Sequence, residues 1–212
     1  MTTPLIGVVD HGAGNLVSIS QGLEAVGARV RIVASPTGLA GLDGIVLPGV
    51  GHTGAAMAGL RDANLVEAMR GPDVPLLGIC VGLQLLFDGS DEDGGTCLGV
   101  IEGRVTRLSD APTLPHMGWN PTDLDSDEPL FDGLVSGTPF YYVHSFAPSP
   151  ADDSVVVARA THGRPFVAAA RLGDVVGTQF HPERSGSDGL RVLGNFLRIV
   201  TGELAVPSRA VA

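Results

Sequence analysis

The stretch Pro75-Leu-Leu-Gly-Ile-Cys80-Val-Gly-Leu-Gln-Leu-Leu-Phe87 decides how this chain is read. Pro75 to Ile79 is a short apolar run of the kind that forms a buried strand, and Val81 to Phe87 follows as a helix with no linker. Glycine stands two residues either side of Cys80, at Gly78 and Gly82. This is the layout of a nucleophile elbow, in which a tight turn lifts one side chain at the carboxyl end of a strand. The glycines let neighbouring backbone pass close by, at dihedrals other residues resist. The amide of Val81 would point toward an oxyanion forming there, and the helix start would favour thiolate over thiol. An arbitrary cysteine is more often a small core residue. The strand-to-helix junction and its glycines reverse that reading for Cys80, whereas Cys97 lacks the setting and reads as structural.

Toward the N-terminus the same alternation repeats. Leu5 to Val9 reads as a buried strand ending at a turn, Asp10-His11-Gly12. Leu16, Ile19, Leu23 and Val26 form a helical stripe stopped by Gly27. Val30 to Val33 and Ile45 to Leu47 are further strands, the latter closed by Pro48-Gly49, and Leu60 to Met69 suggests a helix. Apolar strands separated by helices predict an α/β fold, a doubly wound and mainly parallel sheet covered on both faces.

The C-terminal half changes character. Leu98 to Val105, Phe140 to His144, Val155 to Ala160, Phe166 to Arg171 and Val175 to Phe180 read as additional strands with no helices between them. Thr161 to Pro165 looks like a hairpin turn, and Leu190 to Val200 closes the fold as an amphipathic helix. The expected organisation is one domain over residues 1–202 with a loose tail over 203–212.

Composition narrows the function. Of the 212 residues 44% are hydrophobic and 17% charged, enough apolar material for a large core. Net charge is −10, and all 13 basic residues are arginines that form no stripe, which argues against nucleic-acid binding. Two cysteines are too few for a disulfide scaffold and lack zinc-ligand spacing. The N-terminus has no basic segment followed by an apolar one, and no apolar run is long enough to span a bilayer. A soluble, cytoplasmic protein is expected.

Val175 to Phe180 ends in His181-Pro182-Glu183. In extended backbone residues two apart point the same way, so His181 and Glu183 can face one site. A histidine can take a thiol's proton and later protonate leaving ammonia, while a carboxylate holds its tautomer. Alone, the motif fits an exposed loop equally well. Cys80 and His181 both sit at predicted carboxyl ends of strands, the edge where sites of doubly wound sheets assemble. Leu47-Pro48-Gly49-Val50-Gly51 follows another strand and can offer backbone amides to an oxyanion, or serve merely as a tight turn. No Gly-Lys-Ser/Thr follows it, so it is not a phosphate-binding loop.

Together Pro-Gly-Val-Gly at 48–51, Gly-Ile-Cys-Val-Gly-Leu-Gln at 78–84 and Phe-His-Pro-Glu at 180–183 resemble the class I glutamine amidotransferases, in order and separation, over nearly the whole chain. Asp10 to Leu16, Pro115-His-Met-Gly-Trp-Asn120 and Tyr141 to Phe146 are similar to the glutaminase subunits of imidazole glycerol phosphate synthases within that class. The resemblance implies a flavodoxin-like fold, a Cys80–His181–Glu183 triad and no metal or organic cofactor. It implies that Cys80 forms a glutamyl thioester with glutamine and releases ammonia. Gly49, Val50, Gly51, Val81, Gln84, Ser145 and Phe146 would hold the substrate and its oxyanion. The implied partner is a cyclase subunit with a phosphate-binding barrel, forming a heterodimer in histidine biosynthesis. Ammonia would reach it through a channel, and Asn15, Trp119, Tyr141 and Arg184 would lie at the interface. Judged without the family, Trp119 reads equally well as a core aromatic and Tyr141 as a strand residue.

The chain departs from the family pattern at His11, where tyrosine is usual, near Thr53, where an aromatic is usual, and at Arg184, where lysine is usual. Arginine keeps the charge but is a planar fork. The alternatives are a glutaminase subunit serving anthranilate or pyridoxal phosphate synthesis, a free-standing cysteine peptidase or esterase, and a non-catalytic module. The first usually has a different oxyanion loop and lacks the Pro-His-Met-Gly-Trp-Asn segment. The intact triad argues against the last.

Overall fold

A computed structural model describes residues 3–206. The elements in chain order begin with β1 (Leu5–Val9), α1 (Leu16–Ala25), β2 (Arg29–Val33), β3 (Gly44–Gly49), α2 (Thr53–Asp62) and α3 (Val66–Arg70). Next come β4 (Leu76–Cys80), α4 (Val81–Leu85), β5 (Phe87–Ser90), β6 (Ile101–Arg107), β7 (His116–Leu124) and β8 (Thr138–His144). The chain continues through β9 (Phe146–Pro150), β10 (Val156–His162), β11 (Arg164–Leu172) and β12 (Val175–Thr178) to α5 (Gly186–Val200).

Among the described residues one sheet of nine strands runs β2-β1-β3-β4-β12-β11-β10-β7-β8. Its first five strands are parallel, in the 2-1-3-4-5 order of flavodoxin-like folds, and the last four join antiparallel. The expected additional strands of the C-terminal half thus extend the parallel sheet, and β5, β6 and β9 form a second small sheet. Both faces of the main sheet are covered. A Cβ on Gly44 would touch Phe196 and Val200 of α5, whereas one on Gly49, five positions on, would touch Val81 of α4. Odd and even positions of a strand point to opposite faces, so α5 and α4 lie on opposite sides. Strands β3 and β4 are accordingly buried along their whole length.

Several boundaries differ from expectation. The helix read from Leu60 to Met69 is broken, since Asn64 at φ 56° ends α2 and restarts the chain at α3. The helix after Cys80 is only Val81–Leu85, and Phe87 opens β5. The Leu98–Val105 strand begins instead at Ile101, and β7 and β9 were not expected. The expected tail from 203 lies, from 207 onward, outside the described residues. Glu203 and Leu204 still donate backbone hydrogen bonds to Arg198. Among the described residues no helix is long and apolar enough to cross a membrane.

Candidate active site

Cys80 ends β4 and directly precedes α4, with φ 55° and ψ −104°. A non-glycine residue there is strained, and such strain persists only where the surroundings hold it. The surroundings here are the two expected glycines. A Cβ on Gly78 would come within 2.7 Å of the Gly82 carbonyl carbon and oxygen, and one on Gly82 would run into the carbonyl oxygen of Leu47 on β3. The strand, the elbow and α4 can therefore stack only with glycine at both positions. Cys80 is 3% exposed, with its sulfur 3.6 Å from Gln179 Nε2. Cys97 is also buried, and burial pushes its thiol up to about 11, as expected of a structural cysteine.

His181 lies just past the neighbouring strand β12. His181 Nδ1 is 2.8 Å from Glu183 Oε1, and the two side chains are 3% and 4% exposed. Since a carboxylate accepts, Nδ1 carries the hydrogen. Burial pushes the His181 pKa down, but the charge and hydrogen bonding of Cys80, then those of Glu183, push it up further, to about 10. The folded chain therefore holds the second ring proton of His181 tightly. Among the described residues His181 Nε2 has no nitrogen or oxygen partner, and the Cys80 side chain is the group that interacts with the ring on that side. The loop is held from below: the His181 amide donates to Tyr141 O (2.9 Å), Ser185 Oγ donates to His181 O (2.7 Å), and the Tyr141 amide donates to Ser185 Oγ (3.0 Å).

A cavity of about 140 Å³ opens over Cys80 and His181. Val50, Gly51, Val81, Gln84, Ser145 and Phe146, all expected, line it. Gly49 is paired with Cys80 in the β3–β4 register and packs against Val81 beneath the cavity. Gln84 Nε2 donates to Phe146 O (2.9 Å) and to Gln179 Oε1 (3.2 Å). As the first residue of α4, Val81 has an amide with no acceptor within the helix. The Val50 amide is different: it donates to Ala13 O at 3.0 Å, while His11 Nε2 lies 2.6 Å from Pro48 O. Residues 11–13 therefore grip the Pro48–Gly51 turn at two points, and its Val50 amide is occupied.

Sequence reasoning missed Glu92, whose carboxylate lines the cavity and is 3.0 Å from His52 Nδ1. It also missed Gln179 and Ser185. Thr53 begins α2 and gives its amide to Glu92 (3.2 Å). Of the expected interface residues, Trp119 is 57% exposed, which removes the core-aromatic reading. Its ring meets Tyr141 edge-on at 6.3 Å, and the Arg184 guanidinium lies 4.8 Å from the Tyr141 ring centre. Asn15 caps α1, its side chain accepting from the Ser18 amide.

A strained cysteine and a His–Glu pair at the carboxyl edge of a 2-1-3-4-5 parallel sheet form an arrangement suited to thiol-dependent chemistry on an amide. Residues 7–200 match the family model of class-I glutamine amidotransferases, and the chain belongs to that family. Among its relatives, imidazole glycerol phosphate synthase subunit HisH of Synechococcus sp. (strain JA-3-3Ab) is 46% identical, with 94% of this chain and 95% of that one covered. The same-named subunit of Dehalococcoides mccartyi (strain CBDB1) is 41% identical over 94% and 99% of the two chains. Two solved structures share the fold at 23% identity. PurLQS of Thermotoga maritima superposes with a TM-score of 0.72 over 94% of this chain and all of that one. A glutamine amidotransferase superposes with 0.71 over 92% and 98%.

Proposed function

We propose that this chain is the glutaminase subunit of an imidazole glycerol phosphate synthase, working in the cytoplasm on glutamine for histidine biosynthesis. The observation that carries the reading is the strained Cys80 beside the His181–Glu183 pair, under a cavity of amino-acid size. Cys80 attacks the side-chain carboxamide carbon, and the Val81 amide receives the oxyanion. As the C–N bond breaks, His181 Nε2 gives its proton to the departing nitrogen, leaving ammonia and a glutamyl thioester. Water, losing a proton to His181, then frees glutamate and restores the thiol. Glu183 keeps the ring oriented, and Glu92 supplies a negative charge for the substrate's α-ammonium group.

Ammonia in neutral water is mostly ammonium, which is no nucleophile, so a dry passage to a second active site has chemical value. The exposed Met117 and Trp119, with Tyr141 and Arg184, offer an aromatic and cationic face for a barrel-shaped cyclase subunit, and Asn15 is assigned to the same interface from its motif. The test is glutamate release from glutamine with and without the cyclase subunit and its ribulosyl nucleotide ligand. Strong stimulation supports the assignment. Indifference to that partner leaves the glutaminase chemistry but sinks the pathway. Cys80→Ala abolishes release, while its complex still uses ammonium salts at raised pH.

A further inference from the structure

The cavity and its lining leave unexplained a pair of buried histidines. His116 on β7 and His144 on β8 face one another in register, 4% and 6% exposed, with His116 Nδ1 3.0 Å from His144 Nε2. Burial holds both rings neutral: it lowers His116 to about 4 and His144 to about 3, with neighbouring histidines adding to the shift in each case; only the Phe146 carbonyl opposes it, at His144. A neutral imidazole has one donor and one acceptor nitrogen, so a contact at either end fixes the whole ring.

Both ends of this pair fix the same direction. At the inner end His144 Nδ1 is 2.9 Å from Phe146 O. A carbonyl only accepts, so Nδ1 carries the hydrogen and Nε2 accepts from His116 Nδ1. At the outer end Asn120 Nδ2 donates to Thr161 O (2.9 Å), which sets the orientation of that amide. Its other hydrogen is then directed at His116 Nε2, 3.2 Å away, which must accept. His116 again carries its hydrogen on Nδ1. The two assignments are independent and agree.

Phe146 O is also the acceptor of Gln84 Nε2. The chain thus continues through Gln84 to Gln179 Oε1, and Gln179 Nε2 reaches the Cys80 sulfur. With Nε2 of Gln84 engaged twice, it is the acceptor end of that side chain, Oε1, that remains for the cavity. Reversing His144 would set two acceptors against each other at Phe146 O, and reversing His116 alone would set two against each other between the rings, so either change disturbs the support of the carbonyl that holds Gln84.

We propose that Asn120, His116 and His144 form a hydrogen-bond relay of fixed direction, from the exposed strand that carries Met117 and Trp119 to the substrate wall. Its work is to hold Phe146 O, and so Gln84, in the orientation that presents an acceptor to glutamine. Asn120 is a positioning residue, since it touches neither substrate nor nucleophile. The inference rests on the glutaminase reading for its kinetic consequence, though not for its geometry.

The test uses the full chain in complex with the cyclase. Nitrogen-15 NMR of labelled histidines in the wild type is expected to show His116 and His144 neutral, each protonated on Nδ1. A proton on Nε2 of either ring overturns the relay, whatever the activity. Asn120→Leu, of similar volume but without donors, is expected to mix the tautomers and raise KM for glutamine about threefold to tenfold. Use of ammonium salts by the complex should be unchanged. Disordered tautomers with an unaltered KM overturn the positioning role. If Asn120→Leu fails to fold, the wild-type tautomers still decide. A wild type that releases no glutamate with any partner, yet shows both Nδ1 protons, sinks the functional reading and leaves the relay standing.

Discussion

Nδ1 of His181 lies 2.8 Å from Oε1 of Glu183, and both side chains are almost fully enclosed. The carboxylate can therefore only accept from one ring nitrogen, which turns the other, Nε2, to the chemistry. Glu183→Gln keeps the shape but can offer a donor to Nδ1 and so select the wrong tautomer. Glutamate release should fall roughly 10²-fold, within the range general acid–base groups supply, yet remain measurable where Cys80→Ala has none. Steady-state assays of both variants in complex decide it, and equal losses would contradict the division of roles.

His181, opposed by burial but with Cys80 and then Glu183 raising its pKa, gives the protein a pH signature. Histidine titrates near 6.5 in an unfolded chain, and His181 is raised to about 10 in the folded one against the opposing effect of burial. A raised pKa means the folded state holds this proton more tightly. The resulting stability is fully present below about pH 6.5 and is lost as pH rises toward 10. His181→Gln lacks it, so the gap in Tm between wild type and variant should narrow steadily across that window. Calorimetry at several pH values would show it, and a gap that stays constant would mean the shift is absent.

The elbow was legible in the sequence because its cause is local. Only glycine at 78 and 82 permits the approach of α4 to β3 and β4, and both glycines stand beside Cys80 in the chain. His181 and Glu183 were legible for a similar reason, being two positions apart beyond a strand end. What could not be read depends on register between distant segments. His116 meets His144 because β7 and β8 pair antiparallel, and β7, with Pro121, Gly118 and few apolar residues, does not read as a strand at all. Glu92 sits in an acidic run, Asp91-Glu92-Asp93, that reads as solvated surface, and only the turn after β5 brings it to the cavity. The engagement of the Val50 amide by Ala13 is likewise invisible in sequence, since one peptide plane decides it.

Arg171 and Glu128 form a pair of a different kind, structural and far from the chemistry. The guanidinium reaches the carboxylate through Nε and Nη2 at 2.6–3.0 Å, with side chains 1% and 0% exposed. Removing one partner strands the other charge without water. Arg171→Leu should therefore cost about 3–5 kcal/mol. Urea unfolding should show a lower midpoint with an unchanged slope. A loss below 1 kcal/mol would mean that Glu128 finds another partner or a proton.

His11 touches the Pro48–Gly51 turn at the end of β3. Its Nε2 lies 2.6 Å from Pro48 O, and two residues on, Ala13 O takes the Val50 amide. As long as both contacts hold, the turn offers its oxyanion one donor fewer than it could. Nδ1 of His11 is buried with no partner among the described residues, and the ring is held there at one end only. His11→Phe keeps the packing and deletes the grip on Pro48. A single neutral hydrogen bond contributes about 1 kcal/mol, and its loss should make the freed turn about fivefold easier to populate. Glutamate release by the isolated chain should then rise about fivefold, and stimulation by the cyclase should shrink in proportion. The opposite result, a fall in basal turnover with stimulation preserved, would mean that His11 supports the active arrangement of the turn and does not restrain it.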